Sequence, residues 1–387
     1  SPLFCVKPGK GWIDPCPFWD DDGQAYLVHA FAASRCGIKS KLILHKMAPD
    51  GSRVLDEGKI IFDGTVDHPT LEGPKMYKRN GYYYIMAPGG GVTNGWQTVL
   101  RSKNVWGPYE DRIVLRQGST PINGPHQGGW VETQTGESWF IHFQDRNAYG
   151  RIVHLQPVAW IDDWPIMGDN EEPVLRYKKP NVGREYPIAA IPTSDQFDQD
   201  KLGLQWQWFA NHKDSWYSLG KHGLRLFPQN IPGERKTLWE VPNIVAQKFP
   251  APEFAATTKL TFQPQLESEQ AGLIVTGDKY SYLSLRKSGS GWTLERWVGH
   301  KDQDEDQLTA SVDLDTNTVY LRVEVKEPAV CTFTYSLDGR EYVKLGDELH
   351  AVKGRWIGSK VGLFSTNTTG EGSLGYADFA WFDVSKC

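Results

Sequence analysis

The chain has 387 residues, with 42 Lys and Arg against 47 Asp and Glu, a formal net charge of −5. That balance leaves no basic footprint for nucleic acid, and no apolar run approaches the roughly 18 residues that span a bilayer. With 39 Gly, 24 Pro and 16 each of Trp, Tyr and Phe, and little 3.6-residue periodicity, the chain reads as all-β with about two domains.

The opening SPLFCVKPGKGWID lacks the apolar region of a signal peptide. A processed chain would have lost one, so the expected location is secreted or periplasmic, with the cytoplasm as the alternative. Five cysteines (Cys5, Cys16, Cys36, Cys331, Cys387) form neither a CxxC pair nor a zinc spacing. An odd number argues against a complete disulfide framework and leaves free thiols or one bridge among the first three.

Three stretches then repeat one pattern: DPCPFWDDDGQAYLVHAF (14–31), EGPKMYKRNGYYYIMAP (72–88) and HQGGWVETQTGESWFIHF (126–143). Each is a short strand, a turn ending in glycine, and an aromatic strand. The turn glycines Gly23, Gly81 and Gly136 are 58 and 55 residues apart, the spacing of propeller blades. Outer strands lie between them, in 40–51 with 60–64 and in 96–115. A fourth unit is expected to begin at GRIVHLQPVAWIDDWPIMG (150–168). The pattern fades through EPVLRYKKPNVGREYPIAAIP, which reads as a connector. From Ser194 shorter alternating strands predict a two-sheet sandwich of about 190 residues. The expected domains are a propeller over 1–190 and a sandwich over 195–387.

Asp14 and Glu72 both lie nine residues before their turn glycine, and His126 lies ten before its own. Equal offsets in a radial repeat bring such side chains to equivalent points around one axis. Glycosidic hydrolysis commonly uses a carboxyl pair, so Glu72 is read as a general acid. Asp14 is read as the group that orients it and raises its pKa. The bland alternatives are an Asx-turn before Pro15 for Asp14 and an edge ion pair for Glu72. His126 could bind a metal, hold an axial water or simply pack. Arg151 could hold a sugar hydroxyl or a carboxylate, against an ordinary salt bridge. Trp12, Trp19, Phe31 and Trp96 are candidate sugar platforms, although most aromatics here should be core. Asp20, Asp21 and Asp22 read as a hairpin turn. The run APGGGVTNG (87–95) lacks the lysine and helix of a P-loop and reads as a loop at the pocket mouth.

At IDPCPFWDDDGQAYL, EGPKMYKRNGYYYI and GRIVHLQPVAWIDDWP the chain resembles glycoside hydrolase family 43 over 1–190, and 195–387 resembles the concanavalin-like sandwich appended to many members. The resemblance implies a five-bladed propeller and a β-xylosidase or α-L-arabinofuranosidase activity. It assigns Glu72 as general acid, Asp14 as its modulator, Arg151 as a substrate contact and His126 as a holder of an axial cation or water. It implies no required cofactor and leaves a structural calcium ion open. The family's general base is an aspartate of the first blade, upstream of Asp14. That blade is therefore expected on a preceding segment of roughly a hundred residues or on a second chain completing the propeller; without it hydrolysis should be badly impaired. The expected partners are hemicellulose-derived oligosaccharides, cleaved exo with inversion. A non-catalytic carbohydrate-binding propeller–sandwich protein is the alternative, and a structural protein–protein propeller a third.

Overall fold

The structure is a computed structural model that describes residues 11–187, 189–232, 237–370 and 372–387. Two compact units emerge. One runs to Asp145 and includes Ile152–Pro187; the other combines Arg146–Arg151 with Ile188–Cys387. Among the described residues no helix is long and apolar enough to cross a membrane. Cys16, Cys36, Cys331 and Cys387 are free thiols, while Cys5 lies outside the described residues.

Within the first unit the described residues form three four-stranded sheets, in each of which every strand pairs with the next in sequence. The first holds β1 (Trp12–Trp19), β2 (Ala25–Phe31), β3 (Lys41–Met47) and β4 (Lys59–Asp63). The second holds β5 (Lys75–Arg79), β6 (Tyr82–Gly89), β7 (Trp96–Ser102) and β8 (Glu110–Arg116). The third holds β9 (His126–Glu132), β10 (Ser138–Asp145), β11 (Arg151–Ile161) and β12 (Trp164–Met167).

Burial explains why these runs are strands. Every residue of β2 is buried, as a strand covered on both faces requires, whereas β1 alternates half-buried with exposed positions. The turns have the chemistry their geometry demands. Asn80 and Gly81 both take positive φ, 50° and 73°, the pairing of a type I′ hairpin. The Asp20–Gly23 turn closes with the Gly23 N–H donating to the Asp20 carbonyl at 2.9 Å. Asp20 also ties neighbouring sheets together: Lys78 and the Tyr83 hydroxyl both donate to its carboxylate. Burial works against that charge, but these donors hold Asp20 below the usual carboxylate range.

The stretch 150–168 does not begin a fourth unit. It supplies β11 and β12, which complete the third sheet. The reason is positional. The third strand starts fifteen residues after the turn glycine in both sheets, at Trp96 after Gly81 and at Arg151 after Gly136. Apolar packing joins the sheets: Val28, Leu42, Ile85 and Leu100 share one cluster, and Tyr84, Val114, Phe140 and Met167 another.

The described residues of the second unit form two eight-stranded sheets. Leu273, Leu283 and Leu363 of one and Leu260, Val323 and Phe379 of the other belong to one buried core. Along the strand Thr318–Lys326 burial alternates residue by residue, as expected where one face meets that core and the other meets water.

Candidate active site

Asp14 in the first sheet, Glu72 just ahead of the second and His126 in the third converge. Asp14 lies in β1 at a break in pairing register between Ile13 and Cys16, with φ of 54°. A non-glycine residue in that region is strained, and a bulge re-aims its side chain. Asp14 Oδ2 accepts the backbone N–H of Gly73 at 2.9 Å and the side-chain amide of Gln127 at 3.1 Å. Two donors on one oxygen suit an acceptor-only carboxylate.

Glu72 lies three residues ahead of the start of β5 at Lys75. Its own N–H donates to the Pro88 carbonyl at 3.2 Å, Leu71 before it and Pro74 after it are buried, and Gly73 is held by Asp14. Its carboxylate therefore leaves a fixed backbone and remains 28% exposed. Glu72 Oε1 lies 3.5 Å from His126 Nε2. His126 is buried to 1% exposure, and its ring packs 5.6 Å from that of Phe143, its partner across the β9–β10 pair.

The geometry explains why glycine follows Glu72. Gly73 has φ of 61°, and a Cβ there would lie 2.5 Å from Gln127 Oε1. A side chain would have to adopt a left-handed backbone and displace the amide that holds Asp14.

Gln127 was missed in the sequence, although it lies nine residues before Gly136, at the same offset as Asp14 and Glu72. Like Asp14 it takes a left-handed backbone, with φ of 50°. Strained non-glycine residues facing each other across two sheets persist only where surrounding contacts over-determine them. Gln127→Glu keeps the shape and sets a second carboxyl against Asp14. The variant should lose about tenfold or more in kcat/KM and shift its pH–rate profile. A profile superimposable on the wild type would show that Gln127 does not position Asp14.

The aromatic candidates separate. Trp12 pairs with Phe31 across β1 and β2; Trp12 stacks on His29 at 4.3 Å, and Phe31 meets the same imidazole edge-on at 5.2 Å. Trp12 is half-buried and Phe31 buried. Trp96 donates its indole N–H to His68 at 3.1 Å. A Cβ at Gly90 would meet the Trp96 ring at 2.8 Å, so the 87–95 glycine run packs against this indole and includes a one-turn helix, Gly91–Asn94. Trp19 is half exposed, with its indole N–H on the Pro49 carbonyl. Arg151 opens the third strand of the third sheet and belongs to the segment that groups with the second unit, which corrects its placement at the head of a fourth repeat.

Among the described residues no group of three or more His, Cys, Asp or Glu side chains is arranged to hold a metal ion. Calcium prefers oxygen ligands to imidazole, so a cation beside His126 would depend on the neighbouring Glu72 carboxylate, water and backbone oxygens.

A surface of this kind, with one carboxylate held by fixed donors and another beside it partly open to solvent, can orient an acid and present it to a ligand. The chain matches "Glycosyl hydrolases family 43" over residues 2–165 and "Beta xylosidase C-terminal Concanavalin A-like domain" over residues 194–385. It is 39% identical over 379 residues to a putative beta-xylosidase of Xylanibacter ruminicola, covering 95% of this chain and 67% of that protein. It is 28% identical over 403 residues to a non-reducing end alpha-L-arabinofuranosidase of Bacteroides ovatus, covering 98% and 73%. The solved xylan beta-1,4-xylosidase of Bacillus halodurans superposes with a TM-score of 0.84 at 26% identity, over 97% of this chain and 77% of that one. A hairpin repeat with its carboxylates in register, a concanavalin-like second unit and these likenesses agree: the chain belongs to glycoside hydrolase family 43.

Proposed function

We propose that this glycoside hydrolase releases terminal α-L-arabinofuranosyl or β-D-xylosyl units from hemicellulose (xylan, arabinoxylan and xylo-oligosaccharides), acting exo and with inversion. The observation that carries the reading is the tie between Asp14 and the residue beside Glu72, with His126 supplied by a third sheet. Glu72 delivers its proton to the glycosidic oxygen as the bond to the anomeric carbon breaks. Asp14, acting through Gly73, fixes the direction of that delivery. Water attacks the anomeric carbon from the opposite face and yields its proton to a base, which the family resemblance assigns to an aspartate upstream of β1. Relatives carrying both xylosidase and arabinofuranosidase names support the two pentoses alike. Family membership weighs against a sugar-binding protein without turnover.

Proton NMR during hydrolysis of aryl α-L-arabinofuranoside and aryl β-D-xyloside tests this. The reading expects the first-formed free pentose to carry the opposite anomeric configuration to the substrate. Retention of configuration, or release of internal oligosaccharides only, would overturn it.

A further inference from the structure

Away from the carboxylates, the second unit carries a groove of about 330 Å³ on the outer face of one of its sheets. Its floor is made by three neighbouring strands: Phe254–Gln263 pairs with Thr318–Lys326 on one side and with Tyr376–Ser385 on the other. Strand alternation decides which residues face it. Leu321, Val323, Ala256 and Phe382 point into the core, so Tyr320, Arg322, Thr257, Trp381 and Asp383 stand on the opposite face.

The side chains on that face are arranged rather than scattered. Thr257 is in register with Arg322 on one neighbouring strand and with Asp383 on the other. A cationic donor and an anionic acceptor therefore flank it across the sheet. Arg322 Nε donates to Thr257 Oγ1 at 3.0 Å, and the guanidinium lies 3.6 Å over the Tyr342 ring, which fixes a planar donor fork in place. Asp383 is steadied by the Ser194 hydroxyl at 3.3 Å. Beside this row the rings of Tyr320 and Trp381 lie 6.3 Å apart, inclined by 44°. All three aromatics are half-buried.

Inclined ring faces next to a positioned donor and acceptor match one ligand class well. A sugar ring stacks its C–H face on an aromatic and offers vicinal hydroxyls to charged, directional partners, and successive rings of a twisted chain need platforms that are not coplanar. We propose that this groove is an ancillary carbohydrate-binding site for the neutral β-linked xylose backbone of hemicellulose, holding polymer while the propeller works on chain ends. The choice of ligand rests on the function proposed above; the existence of a sugar site does not.

The test uses the full chain, its Trp381→Ala and Tyr320→Ala variants, and Arg322→Gln as a variant that leaves the aromatic platform intact. Retention on insoluble xylan is measured with excess free xylose present to occupy the propeller, alongside hydrolysis of an aryl pentoside. The expected result is retention weakened by about tenfold or more in each variant, with aryl pentoside hydrolysis within about twofold of wild type. KM for soluble xylan should rise, while KM for the aryl substrate should not. Unchanged xylan retention by all three variants, with hydrolysis intact, overturns the groove. Absence of aryl pentoside hydrolysis in the wild type would instead overturn the proposed function. Xylan retention that still depended on Trp381 would leave the groove standing.

Discussion

Replacing Glu72 with alanine should lower kcat on an unactivated pentoside by about 10²- to 10⁴-fold, the usual worth of a positioned general acid. The loss should shrink to about tenfold or less on an aryl glycoside whose phenolate leaves without protonation. The pattern follows from position. The backbone at 72 is pinned by its bond to Pro88 and by Gly73 on Asp14, so truncating the side chain removes a proton donor and little else. The alkaline limb of the pH–rate profile, where a general acid loses its proton, should vanish with it. Equal losses on good and poor leaving groups would mean that Glu72 binds substrate instead of protonating it.

The second large effect concerns stability. Burial pushes His29 and His142 down from 6.5 to about 4, and both are almost fully enclosed, at 0% and 2% exposure. For His142 the surroundings explain why. Gln156 Oε1 accepts the Val174 N–H at 2.8 Å, which turns its amide nitrogen toward His142 Nε2 at 3.2 Å. That ring nitrogen must accept, and Nδ1 donates to the Phe143 carbonyl at 3.2 Å. A proton on Nε2 would set donor against donor. Because these folded-state pKa values lie below the unfolded value, the unfolded chain takes up more protons as the medium is acidified. The stabilisation is complete above pH 6.5 and is lost as pH falls from 6.5 toward 4. Each site is worth about 3 kcal/mol across that window. Urea unfolding at pH 7.0 and 4.5 should show a loss of several kcal/mol, and His142→Gln should reduce it by about 2 to 3 kcal/mol. Equal stability of the wild type at both pH values would refute this.

The sequence made the hairpins legible because their turn residues have only one good geometry: Asn80–Gly81 and the aspartates before Gly23 could form little else. It also anticipated that Asp14 and the residues around Glu72 come together, since constant offsets from a turn survive folding. The same logic, followed strictly, would have pointed to Gln127 in place of stopping at His126; a histidine draws the eye as a titrating group, while a glutamine carries no such signal. The misplaced fourth unit arose because a glycine before an arginine resembles a fresh start. The fifteen-residue interval shared with Trp96 is a weaker pattern, visible only beside a second sheet. The roles of Trp12, Phe31 and Trp96 were not legible at all. An aromatic that stacks on a sugar and one that packs against His29 or donates its indole N–H to His68 have the same composition, and only neighbours supplied by the fold tell them apart. The row Arg322–Thr257–Asp383 depends likewise on pairing between strands more than sixty residues apart.

A crystal structure of the Glu72→Gln variant with a bound xylo- or arabino-oligosaccharide tests the central claim most directly. The side chain at position 72 should lie within about 2.6–3.2 Å of the glycosidic oxygen at the non-reducing end, with Asp14 still accepting the Gly73 N–H and His126 beside it. A terminal sugar bound away from Asp14, position 72 and His126 would contradict it.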